Sequence, residues 1–106
     1  MYKLIYYVPD SHLDSTKQAL FDAGAGQLGN YKNGAWQVLG TGQFMPTSGA
    51  KPFIGELDKL EMLSEWRVEI IIPKDIAKQV KQALYASHPY EEVAYEFIPI
   101  VDIDAL

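Results

Sequence analysis

Trp66–Ile100, "WRVEIIIPKDIAKQVKQALYASHPYEEVAYEFIPI", is the stretch on which the fold turns. Its opening alternates, with Trp66, Val68, Ile70 and Ile72 on one side and Arg67 and Glu69 on the other. That is the period of a half-buried strand, and Pro73 ends it because proline has no N–H for the ladder. From Asp75 to Ser87 the apolar residues Ile76, Val80, Ala83 and Leu84 recur at i, i+4, i+7 and i+8, the stripe of an amphipathic helix. Val93 to Ile100 returns to β-branched and aromatic residues and predicts a closing strand.

The same grammar holds upstream. "YKLIYYV", residues 2 to 8, predicts a strand ended by Pro9. Ser11 is a candidate cap for a helix from His12 to about Ala23, with Gly24 as its stop and Leu13, Thr16, Leu20 and Ala23 on one face. Asn33-Gly34 favours a tight turn, which predicts a hairpin between the Tyr31 side and Trp36 and Val38. Residues 40 to 55, "GTGQFMPTSGAKPFIG", carry four glycines and two prolines and read as an ordered, irregular loop. Glu56 to Glu65 reads as a short strand or an extended lead-in.

The order β-α-β-β-α-β predicts an α+β, ferredoxin-like sandwich: a four-stranded antiparallel sheet with two helices on one face. Two helices cover only one side of such a sheet. The first strand is apolar on both sides (Leu4, Ile5, Tyr6, Tyr7, Val8), and so is the last. An open face of that kind exceeds what soluble monomers usually expose, so self-association is expected.

The chain of 106 residues suits a single domain over 1–106 and holds no cysteine. Disulfide scaffolds, thiolate metal sites and catalytic thiols are thereby excluded. Fourteen acidic against nine basic residues give a net charge of -5, with the lysines and arginines scattered. Affinity for nucleic acid comes largely from neutralising phosphates, so that class of partner is not expected. The start, "MYKLIYYVPD", has an apolar run of about eight residues, too short for a membrane span. These features together predict a cytoplasmic protein with no membrane partner.

Two places carry candidate chemistry. The first is "HPYEE": His88, Glu91 and Glu92 are the candidate ligands for a divalent metal ion. Pro89 biases His88 toward extended backbone and so disfavours one continuous helical face. Adjacent carboxylates in an extended segment point opposite ways. The favoured reading is structural, with His88 and Pro89 closing the helix, Tyr90 packing, and the glutamates leading into the last strand. The second is the loop, where Gly40, Gly42, Gly49 and Gly55 permit turns and Phe44, Pro46 and Pro52 pin them; these seven and Tyr90 are the candidate contacts for a small ligand or protein partner. The loop lacks a P-loop ending and a following helix. Arg67 and Glu69 read as interface residues rather than catalytic ones, and no nucleophile-elbow pattern occurs.

The blocks "GAGQLGNYKNGAWQVLGTGQFMPTSGAKPFIG", "WRVEIIIP" and "ALYASHPYEEVAYEFIPI" together resemble the middle module of YqfO-type proteins of the Nif-three-like (Ngg-interacting factor) family, across nearly the whole chain. More distantly, "ASHPYE" and the strand after it resemble the CutA cation-tolerance family, which shares its topology with the PII signal proteins. The likeness implies a trimer. In the larger relatives the metal ions lie in two flanking halves that this sequence does not contain, so the resemblance implies an accessory, standalone module rather than their catalysis. The expected function is therefore a non-enzymatic, self-associating domain that binds a partner or small ligand. Two alternatives stand beside it: a CutA-type, metal-responsive protein using His88, Glu91 and Glu92, and, more weakly, a nucleotide hydrolase.

Overall fold

The computed structural model describes residues Met1–Leu106. Its strands are β1 (Tyr2–Val8), β2 (Trp36–Phe44), β3 (Glu61–Ile72) and β4 (Tyr95–Pro99); its helices are α1 (Leu13–Asp22) and α2 (Ala77–Ser87). The strands form one antiparallel sheet in the order β2-β3-β1-β4. This is the expected ferredoxin-like arrangement, with both helices packed on one side.

β1 builds the core because it is a central strand. Leu4 faces Ile70 on one neighbour and Phe97 on the other, and Tyr6 likewise faces Val68 and Tyr95. Leu4, Tyr6 and Val8, with Val68, Ile70 and Ile72, meet Leu13 and Leu20 of α1 and Val80 and Leu84 of α2 in one buried cluster. One polar pair enters it. The Tyr6 hydroxyl lies 2.9 Å from Thr16 Oγ1, and Thr16 spends its single proton on the His12 carbonyl at 2.8 Å. Tyr6 is therefore the donor in the pair. Burial pushes its phenol up to about 12.

The ends of α1 divide between success and correction. At the C-terminus, Gly24 takes φ +103°, Ala25 N–H reaches Leu20 O and Gly24 N–H reaches Phe21 O, both at 3.0 Å. That pair of bonds is a Schellman stop, and the left-handed residue in it favours glycine. At the N-terminus Ser11 is not a cap. Its hydroxyl sits 2.8 Å from His12 Nδ1, and a single 3-10 turn, Asp10–His12, leads in instead. The second helix begins the same way, with Lys74–Ile76 in a 3-10 turn.

The expected hairpin at Asn33-Gly34 does not form. Asn33 does take φ +58°, but Gly34 N–H goes back to Gly26 O at 2.9 Å, and Tyr31 pairs only with Leu28. β2 instead pairs with β3 from Trp36↔Glu69 to Phe44↔Glu61. Gly40 to Phe44, expected in the loop, is thus strand, and the connection is 45–60. The last strand is shorter than expected, at Tyr95–Pro99.

β1 stops level with Trp66, so β3 from Glu61 to Glu65 and β2 from Gly40 to Phe44 run on without a third strand. The result is a long molecule of 49 × 27 × 23 Å. Its radius of gyration, 15.1 Å, exceeds the ~13 Å of a compact chain of this length.

The outer face of the sheet is less uniformly apolar than expected. Ile5 is buried there, but Lys3 Nζ and Arg67 Nε lie 3.3 and 3.4 Å from the Glu69 carboxylate, and Glu96 flanks Ile5 in register. Exposed apolar residues gather instead along β2 and the loop after it, including Trp36, Val38, Leu39, Met45 and Phe53. No helix is long and apolar enough to cross a membrane.

Leu84 is fully buried between α2 and the sheet. Replacing it with alanine should cost about 3 kcal/mol in urea unfolding. Leu39→Ala, at an exposed site on β2, should shift monomer stability by less than ~0.5 kcal/mol.

Candidate functional site

The site begins where α2 ends. Pro89 forbids further helix, and His88 adopts extended backbone at φ -85°, ψ 139°. The turn drives the imidazole inward, where it is 6% exposed. Its Nε2 lies 2.6 Å from the Tyr7 carbonyl, and its Nδ1 receives the Tyr90 N–H at 3.1 Å. A carbonyl only accepts, so Nε2 carries the proton and Nδ1 is bare. Burial holds the His88 pKa below the usual histidine value, although the bond to Tyr7 opposes the shift.

Tyr90 follows from this anchor. Its ring lies 4.8 Å from His88 and 6.1 Å from Phe44, centre to centre, and its hydroxyl donates to Glu65 Oε2 at 3.0 Å. Burial, and then the neighbouring Glu65 charge, push the Tyr90 phenol far up, so it stays a donor. Glu65 in turn lies across β2: a Cβ at Gly42 would fall on its carboxylate, so any larger residue there would displace the Glu65 side chain from this position. Glu91 Oε1 accepts the backbone N–H of Lys51 at 2.8 Å, tying the loop to the end of α2. Phe53 packs edge-on to His12 at 5.6 Å and holds the loop's far side.

These contacts enclose a cleft of about 520 Å³. Of the candidate ligand contacts, Gly42, Phe44, Pro46, Pro52 and Tyr90 line it. Gly40, Gly49 and Gly55 do not; Gly49 and Gly55 serve left-handed turns at φ +94° and +99°, and Gly40 is plain strand. Sequence reasoning missed Tyr7 and Glu65, which also line the cleft. Only strand register brings those two to it.

The metal candidates do not converge. Both ring nitrogens of His88 are engaged within the protein, while Glu91 and Glu92 face the cleft. No group of three or more histidine and carboxylate side chains is placed to hold an ion. The structural reading of His88 is the one this geometry supports. A second, smaller cleft of about 380 Å³ lies near the start of β2, between Leu28, Tyr31, Trp36 and Glu69.

No protein-family model matches the chain. Over 98 residues it is 47% identical to the GTP cyclohydrolase 1 type 2 homolog of Bacillus subtilis, covering 92% of this chain and 26% of that protein. The protein of the same name from Mycobacterium leprae is 42% identical over 99 residues, covering 93% and 26%. A solved Bacillus cereus protein related to NIF3 superposes at TM-score 0.82 with 39% identity, over 95% of this chain and 26% of that one. CutA1 from Pyrococcus horikoshii superposes at TM-score 0.71 over 97% of this chain and 86% of its own, at 15% identity, a likeness of fold alone. The chain thus spans about a quarter of the length of the curated relatives it matches.

The His88 geometry predicts a pH response. Unfolded histidine takes a proton near its ordinary value of ~6.5, whereas the folded site resists it. The stability due to His88 is complete above that pH and is lost as the solution is acidified through it toward the lower folded value. The melting temperature should fall between pH 7 and pH 5 more steeply for wild type than for His88→Gln, which keeps a donor for Tyr7 and does not titrate. Parallel melting curves across that range would contradict the assignment.

Proposed function

We propose that this chain, homologous to a quarter-length segment of NIF3-related proteins, is a self-associating binding module with no catalysis of its own. The carrying observation is the edge strand β2, which β3 alone flanks and which runs on with β3 as a two-stranded arm beyond the end of β1. Trp36 and Val38 lie on its outer side and Leu39 on the other, with Met62 of β3 out on the arm, each exposed by 42% or more. An edge strand apolar on both sides needs cover, and a two-stranded ribbon alone in water is marginal. Further copies of the same chain supply that cover in our reading, three in all, as the likeness to CutA and PII proteins implies. The Lys3–Glu69–Arg67 cluster on the outer face would then set the register between copies rather than supply much energy.

The cleft at the root of the arm is the binding site for a small ligand or partner. Glu65 is tied to the Tyr90 phenol and Glu91 to the Lys51 backbone, an arrangement suited to holding a ligand. The cyclohydrolase in the relatives' name is not carried over to a segment that makes up a quarter of them. The compartment we propose is the cytoplasm, in keeping with a chain free of cysteine.

Sedimentation at micromolar concentration tests the assembly. Wild type should run as an oligomer, with a trimer expected. Val38→Lys should weaken association about tenfold or more, since burying a valine is worth ~1.5 kcal/mol or above, while leaving the circular dichroism spectrum and the monomer fold intact. A monomeric wild type would sink the reading.

A further inference from the structure

The cleft between the loop 45–60 and the segment after α2 has a composition that selects among ligands. Three carboxylates, Glu65, Glu91 and Glu92, line it, and no lysine, arginine or histidine side chain does. None of the three takes part in an ion pair. Their only side-chain partners are neutral: the Tyr90 hydroxyl for Glu65 and the Lys51 backbone N–H for Glu91. The site therefore holds negative charge that nothing within the chain neutralises. Its walls are aromatic and apolar, with Tyr7, Phe44, Phe53 and Tyr90 alongside Pro46 and Ile54.

From this the geometry points to a small organic cation as the ligand, a primary amine or guanidine carried on an apolar body. The inference rests on the reading of this cleft as a ligand site and adds the chemical class. Aromatic faces attract a cation through their quadrupoles, and the carboxylates add direct charge pairing. An apolar body would lie against the prolines and Ile54. At about 520 Å³ the cleft has room for a molecule of that kind. A phosphate-bearing ligand meets the opposite conditions. It would bring negative charge against three carboxylates, and the left-handed glycines Gly49 and Gly55, the turn type whose N–H groups cradle anions, lie outside the lining. Glu65 is also held in place before any ligand arrives, seated over Gly42 and bonded by Tyr90. Such preorganisation lowers the ordering cost of binding.

Titration of the isotope-labelled full chain with matched probes, followed by amide chemical shifts, tests this. The probes are phenethylamine, phenethyl alcohol and phenylacetate at equal ionic strength. The amine should perturb residues around Phe44, Glu65 and Tyr90 and bind at least ~10-fold more tightly than the alcohol, with the carboxylate weakest. Glu92→Gln and Glu65→Gln, the latter keeping an acceptor for Tyr90, should each bring the amine toward the alcohol's affinity, and added salt should do the same. If the carboxylate or alcohol occupies the cleft as tightly as the amine, the cation assignment falls while the cleft stands as a ligand site. If no probe perturbs the cleft, both fall.

Discussion

A strand of seven residues cannot flank a strand of twelve along its whole length, and much of this molecule follows from that mismatch. β1 is paired with β4 as far as Tyr6 and with β3 as far as Val8, where it ends. Where it is present, the sheet has three or four strands, a helical layer above it and a buried core. Where it stops, β2 and β3 continue alone. The loop at the far end of that ribbon then folds back to meet the chain leaving α2. Core, arm and cleft are three results of one difference in length.

Polar groups in the interior are handled by local pairing. Thr16 gives its proton to the helix backbone and accepts from Tyr6, while His88 uses one nitrogen for β1 and the other for Tyr90. No buried side-chain nitrogen or oxygen is left without a partner. His88 is therefore a bracket between the core and the cleft: what holds Tyr90 toward Glu65 is the same ring that closes α2. A metal role would require breaking those bonds.

The homologous proteins are about four times as long, which frames the function of this segment. What it carries on its own residues is an exposed, apolar edge strand and a cleft lined by carboxylates that make no ion pair. The proposed binding role rests on both. The likeness to CutA1, at 15% identity, shows how widely the same sandwich recurs and leaves function to the side chains.

Much of the architecture was legible in the residues. Strict alternation in Trp66–Ile72 and the stripe Ile76, Val80, Ala83, Leu84 can be read locally because burial repeats with the period of the backbone. The Gly24 stop was legible for the same reason, as one residue's dihedral preference. Asn33-Gly34 shows where local reading ends. Asn33 takes the turn conformation its type favours, yet the strand beyond it finds β3 rather than its neighbour, since pairing is settled by competition among all available edges. The glycines of "GTGQF" suggested a loop; Gly42 instead leaves room for a carboxylate from the adjacent strand. The cleft was half legible: the loop and Tyr90 were candidates, but Glu65 and Tyr7 were not. Its bonds join residues 25, 40 and 81 positions apart, Glu65 to Tyr90, Lys51 to Glu91 and Tyr7 to His88. Periodicity, breaks and charge are properties of neighbours and can be read along the chain. Who meets whom rests on strand register and chain return, and those come from the packing of the whole.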